Sequence, residues 1–176
     1  IVFSGIVSHV NAQSKTVYNA YKPGLSIREK PGTQASVIGK IPYGEKLKLV
    51  NAYNDTVSLV NEGMTGYWNL VEYKGKKGYV AGIYLLEFAP PAANVKSMID
   101  YLDQLSAPAG AALVVTKGKY GEDLYSQYKK QLYKNGFEYC SAVYYESNYN
   151  HYFLLDVSLQ QAFIIVRLIP EFKDVF

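Results

Sequence analysis

The stretch Leu25-Ser26-Ile27-Arg28-Glu29-Lys30-Pro31-Gly32, followed by Val37-Ile38-Gly39-Lys40-Ile41-Pro42-Tyr43-Gly44, sets the character of the first half of the chain. Leu25 and Ile27 alternate with polar neighbours and stop at Pro31-Gly32, a pair suited to a tight turn. Val37, Ile38 and Ile41 then lead into a second turn at Pro42-Tyr43-Gly44, after which Leu47, Leu49 and Ala52 alternate with Lys46, Lys48 and Asn51. Trp68, Leu70 and Val71 run through Tyr73 to Lys74-Gly75-Lys76-Lys77-Gly78, read as a hairpin turn before Tyr79-Val80. Each of these five strands is too short to bury much alone, so together they predict a closed or nearly closed antiparallel barrel. Alternation assigns Leu25, Ile27, Val37, Ile41, Leu47, Val71, Val80 and Leu85 to its core, and Pro31, Gly32, Gly75 and Gly78 to turns.

The order and spacing of Leu25–Gly32, Val37–Ile41 with Gly44-Glu45, Trp68–Tyr73, Gly75–Val80 and Tyr84-Leu85 resemble the bacterial SH3 (SH3b) family over residues 17–87. Two departures stand out. Tyr79 occupies a place where the family often has Trp, and Asn54 to Gly66 reads as a longer loop than usual. The resemblance implies an SH3-like barrel with a peptide- or glycan-binding role, often toward peptidoglycan. Tyr21, Tyr43, Tyr67, Trp68 and Tyr84 are rings near loop ends, where such a groove would sit, and they are the candidate ligand-binding residues. Trp68 reads equally as core, and Arg28 as a brace across the barrel.

Ala89-Pro90-Pro91-Ala92-Ala93 cannot continue a strand ladder, because two prolines remove two donors and fix φ; residues 88–93 are therefore expected to be a Pro/Ala linker. Beyond it, 94–176 reads as a small α+β domain, with two helices against an antiparallel sheet of about four strands. Asn94 is a candidate N-cap for a helix carrying Val95, Met98, Ile99, Leu102 and Leu105, stopped by Pro108-Ala109-Gly110. Ala111 to Thr116 reads as a buried strand. Glu122 to Tyr133 reads as a second helix, with Leu124, Tyr128 and Leu132 on one face and Asn135-Gly136 as its stop. Phe137 to Tyr145, Tyr152 to Val157 and Ala162 to Ile169 read as strands, with a turn at Glu146 to Asn150. This half shows no family resemblance.

The 176 residues are 49% hydrophobic and 19% charged, so the chain is globular. A net charge of +3, spread without a basic block, gives no reason to expect nucleic acid. Residues 1–12 (IVFSGIVSHVNA) are apolar, free of Lys, Arg, Asp and Glu, and close on small or β-branched residues. They read as the tail of a secretory signal peptide, with a β-strand using Ile1, Phe3 and Val7 as the lesser reading. A periplasmic or extracellular location is then expected, with no lipid anchor and no stable membrane insertion after signal removal.

The chemistry-bearing residues are few. With His9 inside the signal-peptide reading, Cys140 and His151 alone cannot supply the three or four ligands of a zinc site, so no metal or other cofactor is expected. There is no phosphate-binding Gly-rich loop and no Gly-x-Ser-x-Gly elbow. SH3b domains often accompany NlpC/P60 cysteine peptidases, and Glu138-Tyr139-Cys140-Ser141 superficially resembles their Cys-Ser motif. In that family, however, the nucleophile begins a helix and its His lies many tens of residues later, whereas Cys140 sits in a strand-like run eleven residues before His151. Finally, Tyr144 to Tyr152 crowds rings and amides around one turn, either an ordinary hairpin edge or a saccharide-contacting surface. The expected function is an exported, non-enzymatic binding protein that recognises peptidoglycan or an envelope protein. A small cell-wall hydrolase using Cys140 and His151, or an accessory protein that binds and inhibits another exported protein, is the alternative.

Overall fold

The computed structural model describes residues 15–51 and 57–175, so the signal-peptide reading of 1–12 and the assignment of Ala52 lie outside the described residues. The described residues are mostly β, with two α-helices and antiparallel sheets, and the chain divides into two compact units between Glu87 and Phe88.

In the first unit, β1 (Lys15–Asn19), β2 (Leu25–Arg28), β3 (Val37–Ile41), β4 (Lys46–Asn51), β6 (Met64–Tyr73), β7 (Lys76–Ala81) and β8 (Leu85–Leu86) pair in the order β3-β2-β7-β6-β4-β1-β8, while β5 (Ser58–Asn61) pairs with β6. The ten-residue β6 is the pivot. Its first residues, from Met64 to Tyr67, pair with β5, and its later ones, from Leu70 to Glu72, pair with β4. Bulges between Ile27 and Arg28 and between Leu49 and Asn51 add the local bend that curls such a sheet into a barrel. Ile27, Ile41, Val71, Val80, Ile83 and Leu86 fill its centre.

Several expectations are corrected. Asn54 to Gly66 is no open loop: its described part carries β5 and the start of β6, joined by Glu62 and Gly63 at φ 51° and 76°. Lys74 and Gly75, at φ 49° and 77°, turn β6 into β7 in the same way, the paired positive φ of a type I′ hairpin. Gly78 is a strand residue, not a turn residue; a Cβ there would lie 2.5 Å from Ile27 Cγ2 and 2.7 Å from the Arg28 carbonyl oxygen. Val37 is 54% exposed, because a bulge in β3, with Ile38 as the extra residue opposite Ile27/Arg28, breaks the alternation that would have turned it inward. Leu86, not Leu85, is the buried leucine, since the 3-10 turn Gly82–Tyr84 just before it shifts the phase.

In the second unit, Ser97 rather than Asn94 caps α1 (Met98–Leu105), with a reciprocal capping box: its hydroxyl accepts from Asp100 N, and the Asp100 carboxylate accepts from Ser97 N. These backbone donors, with Lys96 N first, hold the Asp100 carboxyl below its ordinary range. The Pro/Ala stretch is held on α1, where Gln104 accepts from Ala92 N and donates to the Pro90 carbonyl, and Tyr101 donates to the Ala89 carbonyl.

A four-stranded antiparallel sheet follows, β9 (Leu113–Lys117), β10 (Ser126–Leu132), β11 (Glu138–Tyr144) and β12 (Asn148–Phe153), ordered β12-β11-β10-β9. The second expected helix is β10, which pairs along its length with β11 and over Ser126 to Lys130 with β9. β9 is an exposed edge strand rather than a buried one. The β11–β12 turn falls at Tyr145-Glu146-Ser147, earlier than expected, and the last expected strand is a helix, α2 (Leu159–Leu168), capped by Ser158 with Gln161. The core is Tyr101 and Leu102 of α1, Phe137 before β11, and Ile165 and Ile169 from α2 and its end. No helix among the described residues is long and apolar enough to cross a membrane.

Candidate functional site

Asn19, fully buried at the end of β1, organises one side of a groove in the first unit. Its amide donates to the Ile41 and Pro42 carbonyls at 2.9 and 3.0 Å, and its Oδ1 accepts from Tyr21 N at 2.8 Å. Ala20 N donates to the Tyr84 carbonyl at 2.9 Å. The chain is thereby steered so that the rings of Tyr21 and Tyr84 meet with centroids 4.4 Å apart, tilted by 36°.

Trp68, from the middle of β6, lines the groove floor and is 4% exposed. The Arg28 guanidinium lies 6.0 Å from its ring centroid and donates through Nη1 to the Ala35 carbonyl at 2.5 Å. One of the five donors of that fork is thus used as a brace. On the opposite wall, Asn61 donates to the Tyr84 hydroxyl at 2.5 Å, fixing the ring from the β5 side, and Leu59 and Val60 complete the wall. The groove encloses about 310 Å³. Half-buried Tyr21 supplies the accessible ring here, with Tyr84 and Trp68 buried behind it at 7% and 4% exposed, so that stacking on Tyr21 supplies affinity while a guanidinium and fixed hydroxyl and amide groups supply orientation.

Of the expected ring set, Tyr21, Trp68 and Tyr84 come together here, whereas Tyr43 and Tyr67 do not line the groove. Tyr67 precedes Trp68 on a strand, so it points to the other face and is exposed. Tyr43 sits half-buried in the turn between β3 and β4, and burial raises its phenol pKa to about 12. Arg28, Ser26, Thr33 and the β5 residues were not among the expected ligand contacts. The β5 wall was readable from the Glu62-Gly63 turn signal flanked by Leu59, Val60 and Met64.

In the second unit, the spacing of Cys140 and His151, which had argued against a catalytic pair, places them directly opposite each other on β11 and β12. The Cys140 sulfur nevertheless has other partners: the Tyr128 hydroxyl at 3.2 Å and a Glu138 carboxylate oxygen at 3.1 Å. Lys130 lies 2.6 Å from the other Glu138 oxygen and keeps that carboxyl below its ordinary range. Burial, with the Glu138 carboxylate beside it, pushes the Cys140 thiol up. This environment favours thiol over thiolate, the reverse of what activates a cysteine nucleophile. Among the described residues, no group of three or more His, Cys, Asp or Glu side chains is placed to hold a metal ion.

No curated protein and no solved structure matches the chain. The family model for the bacterial SH3 domain matches residues 23–85, the segment that carries all the groove residues but Tyr21, and the first unit of this chain is therefore a bacterial SH3 domain.

Proposed function

We propose that the chain is an exported, non-enzymatic adaptor whose SH3 groove docks on cell-wall peptidoglycan. The observation that carries this is the Tyr21 ring, backed by the buried Tyr84 and Trp68, with Arg28 beside it in the groove. Glycan and stem-peptide segments of peptidoglycan both offer apolar faces for ring stacking, and the stem peptides add carboxylates that suit a guanidinium. The apolar, charge-free residues Ile1 to Ala12 support export. The raised thiol pKa of Cys140 supports a role without cysteine catalysis.

The test is co-sedimentation of the full chain with purified peptidoglycan sacculi. Retention that falls by about tenfold in Tyr21→Ala and in Arg28→Ala is expected, the loss of one stacking or charge-assisted contact each. Absence of retention removes the wall-binding reading. Capture of an envelope protein that both substitutions abolish would then place that protein in the groove.

A further inference from the structure

Outside the groove, one face of the four-stranded sheet leaves several apolar side chains uncovered. The register fixes its membership. Tyr128, Ala142 and Tyr149 lie directly across from one another on β10, β11 and β12, with Val115 opposite Tyr128 on β9, and Tyr144 stands two residues beyond Ala142 on β11. Neighbouring strands are about 4.8 Å apart, so the backbones that carry Tyr128 and Tyr149 are about 10 Å apart, with only a methyl group between them.

Tyr128 does not stand upright. Its hydroxyl meets the sulfur of Cys140, the diagonal neighbour on β11, at 3.2 Å, so the side chain leans along the sheet toward β11. It remains 39% exposed. Tyr144 and Tyr149 meet edge to face, with centroids 6.2 Å apart and planes at 73°, and both are about half exposed. Tyr128 and Tyr144 wall an open cleft of about 280 Å³ with Ala142 between them and Ser126 and Lys117 at its rim.

We propose that this cleft binds a pyranose oligosaccharide. A sugar ring presents an apolar C–H face to the flat Tyr128 ring, seats over the Ala142 methyl and offers its hydroxyls to Ser126 and Lys117. A second copy of the chain fits the face less well. Strands of five to seven residues, in a sheet four strands wide, give a face of at most roughly 20 by 23 Å, at most about 900 Å² buried in a pair, below the ~1,200 Å² at which stable interfaces begin. A short glycan needs only the cleft.

The probe is the hexamer of N-acetylglucosamine, free of peptide, titrated into the isotope-labelled full chain and followed by amide chemical shifts. Saturable shifts centred on residues 115–149 are expected. Tyr128→Ala should weaken binding about tenfold, the worth of one stacked ring. Ala142→Leu, which keeps every ring but fills the space between them, should weaken it at least as much. Tyr120→Ala, which removes an exposed ring outside the cleft, should leave affinity unchanged. The proposal is overturned by absence of saturable shifts, by shifts confined to the SH3 groove, or by binding that survives Ala142→Leu. Light scattering that shows a dimer, lost in Ala142→Leu, overturns it in favour of a second copy.

Discussion

Replacing Asn19 with alanine should unfold the SH3 domain at much lower denaturant while leaving the second unit untouched. The side chain is fully buried and makes three hydrogen bonds of 3.0 Å or less, to the Ile41 and Pro42 carbonyls and from Tyr21 N, besides a 3.4 Å bond to the Tyr21 carbonyl whose length adds little. Alanine removes all of them and admits no replacement at a fully buried site. At about 1 kcal/mol for each abandoned partner, the low end for buried groups, the loss is about 3 kcal/mol. That is a large part of the ~5–15 kcal/mol that holds a domain together. Trp68 is the only tryptophan in the chain and is buried in the SH3 domain, so its fluorescence follows this unit alone. With a urea slope of about 1.5 kcal/mol/M, the midpoint should fall by roughly 2 M. Asn19→Asp separates hydrogen bonding from simple volume. The carboxylate keeps the acceptor for Tyr21 N but turns an oxygen toward the Ile41 and Pro42 carbonyls, so this variant should be as weak as alanine at neutral pH. Its native-state pKa should be raised, because only the protonated acid can donate to a carbonyl. Stability should therefore be highest below the ordinary aspartate pKa and be lost as pH rises through the raised one. A midpoint shift under about 0.5 M for Asn19→Ala, less than ~1 kcal/mol, would refute the assignment of Asn19 as the organiser of the groove.

Gly78→Ala should cost the same unit about 2 kcal/mol or more, read by the same fluorescence, because the new methyl overlaps Ile27 and the Arg28 carbonyl in a closed strand pair; a neutral effect means the barrel wall yields easily. Phenolate absorbance should show late-titrating tyrosines. Burial raises Tyr43 and Tyr133 to about 12, so their stabilisation is present below the ordinary tyrosine value near 10 and lost between about 10 and 12, where unfolding should accompany ionisation, while Tyr152, raised further by burial, ionises last. A single titration near pH 10 for all tyrosines counts against that burial. Cys140 should alkylate slowly at neutral pH and faster in Glu138→Gln, which removes the carboxylate that raises its pKa; equal rates would show that burial alone sets the thiol.

The first half was legible because its elements are short, alternate cleanly and end in turn residues that permit few conformations. Leu25, Ile27, Ile41, Leu47, Val71 and Val80 are all buried as alternation requires. The misses occur where the period itself changes. A bulge at Ile27/Arg28 turned Val37 outward, and a 3-10 turn exchanged Leu85 for Leu86. Aromatic residues at loop ends proved a coarser guide: Trp68 and Tyr84 face the groove, while Tyr67, one residue from Trp68, faces away. Asn19 carried no periodic signal, since a lone polar residue at a strand end reads as a turn until its partners across the barrel are known.

The second half shows why local patterns fail when tertiary pairing decides. Tyr128 and Leu132 are four residues apart, a spacing shared by one face of a helix and one face of a strand, so their placement did not discriminate. Leu124 was the discriminating position. At 86% exposed it lies outside any apolar face, and without it only the ladders to β9 and β11 remain to define the segment. The reverse error befell α2, where Ile164-Ile165-Val166 argued for a strand. Ser158 and Gln161, spaced as a capping box, satisfy backbone donors of the first turn reciprocally, and Ile164, Ile165 and Ile169 then recur at the helical interval that buries them. A β-branched run is therefore helical here because its cap starts it and its burial repays it. The same logic makes the cap testable: Ser158→Ala should cost about 1 kcal/mol, seen as earlier exchange of the α2 amides while those of β11 keep their protection.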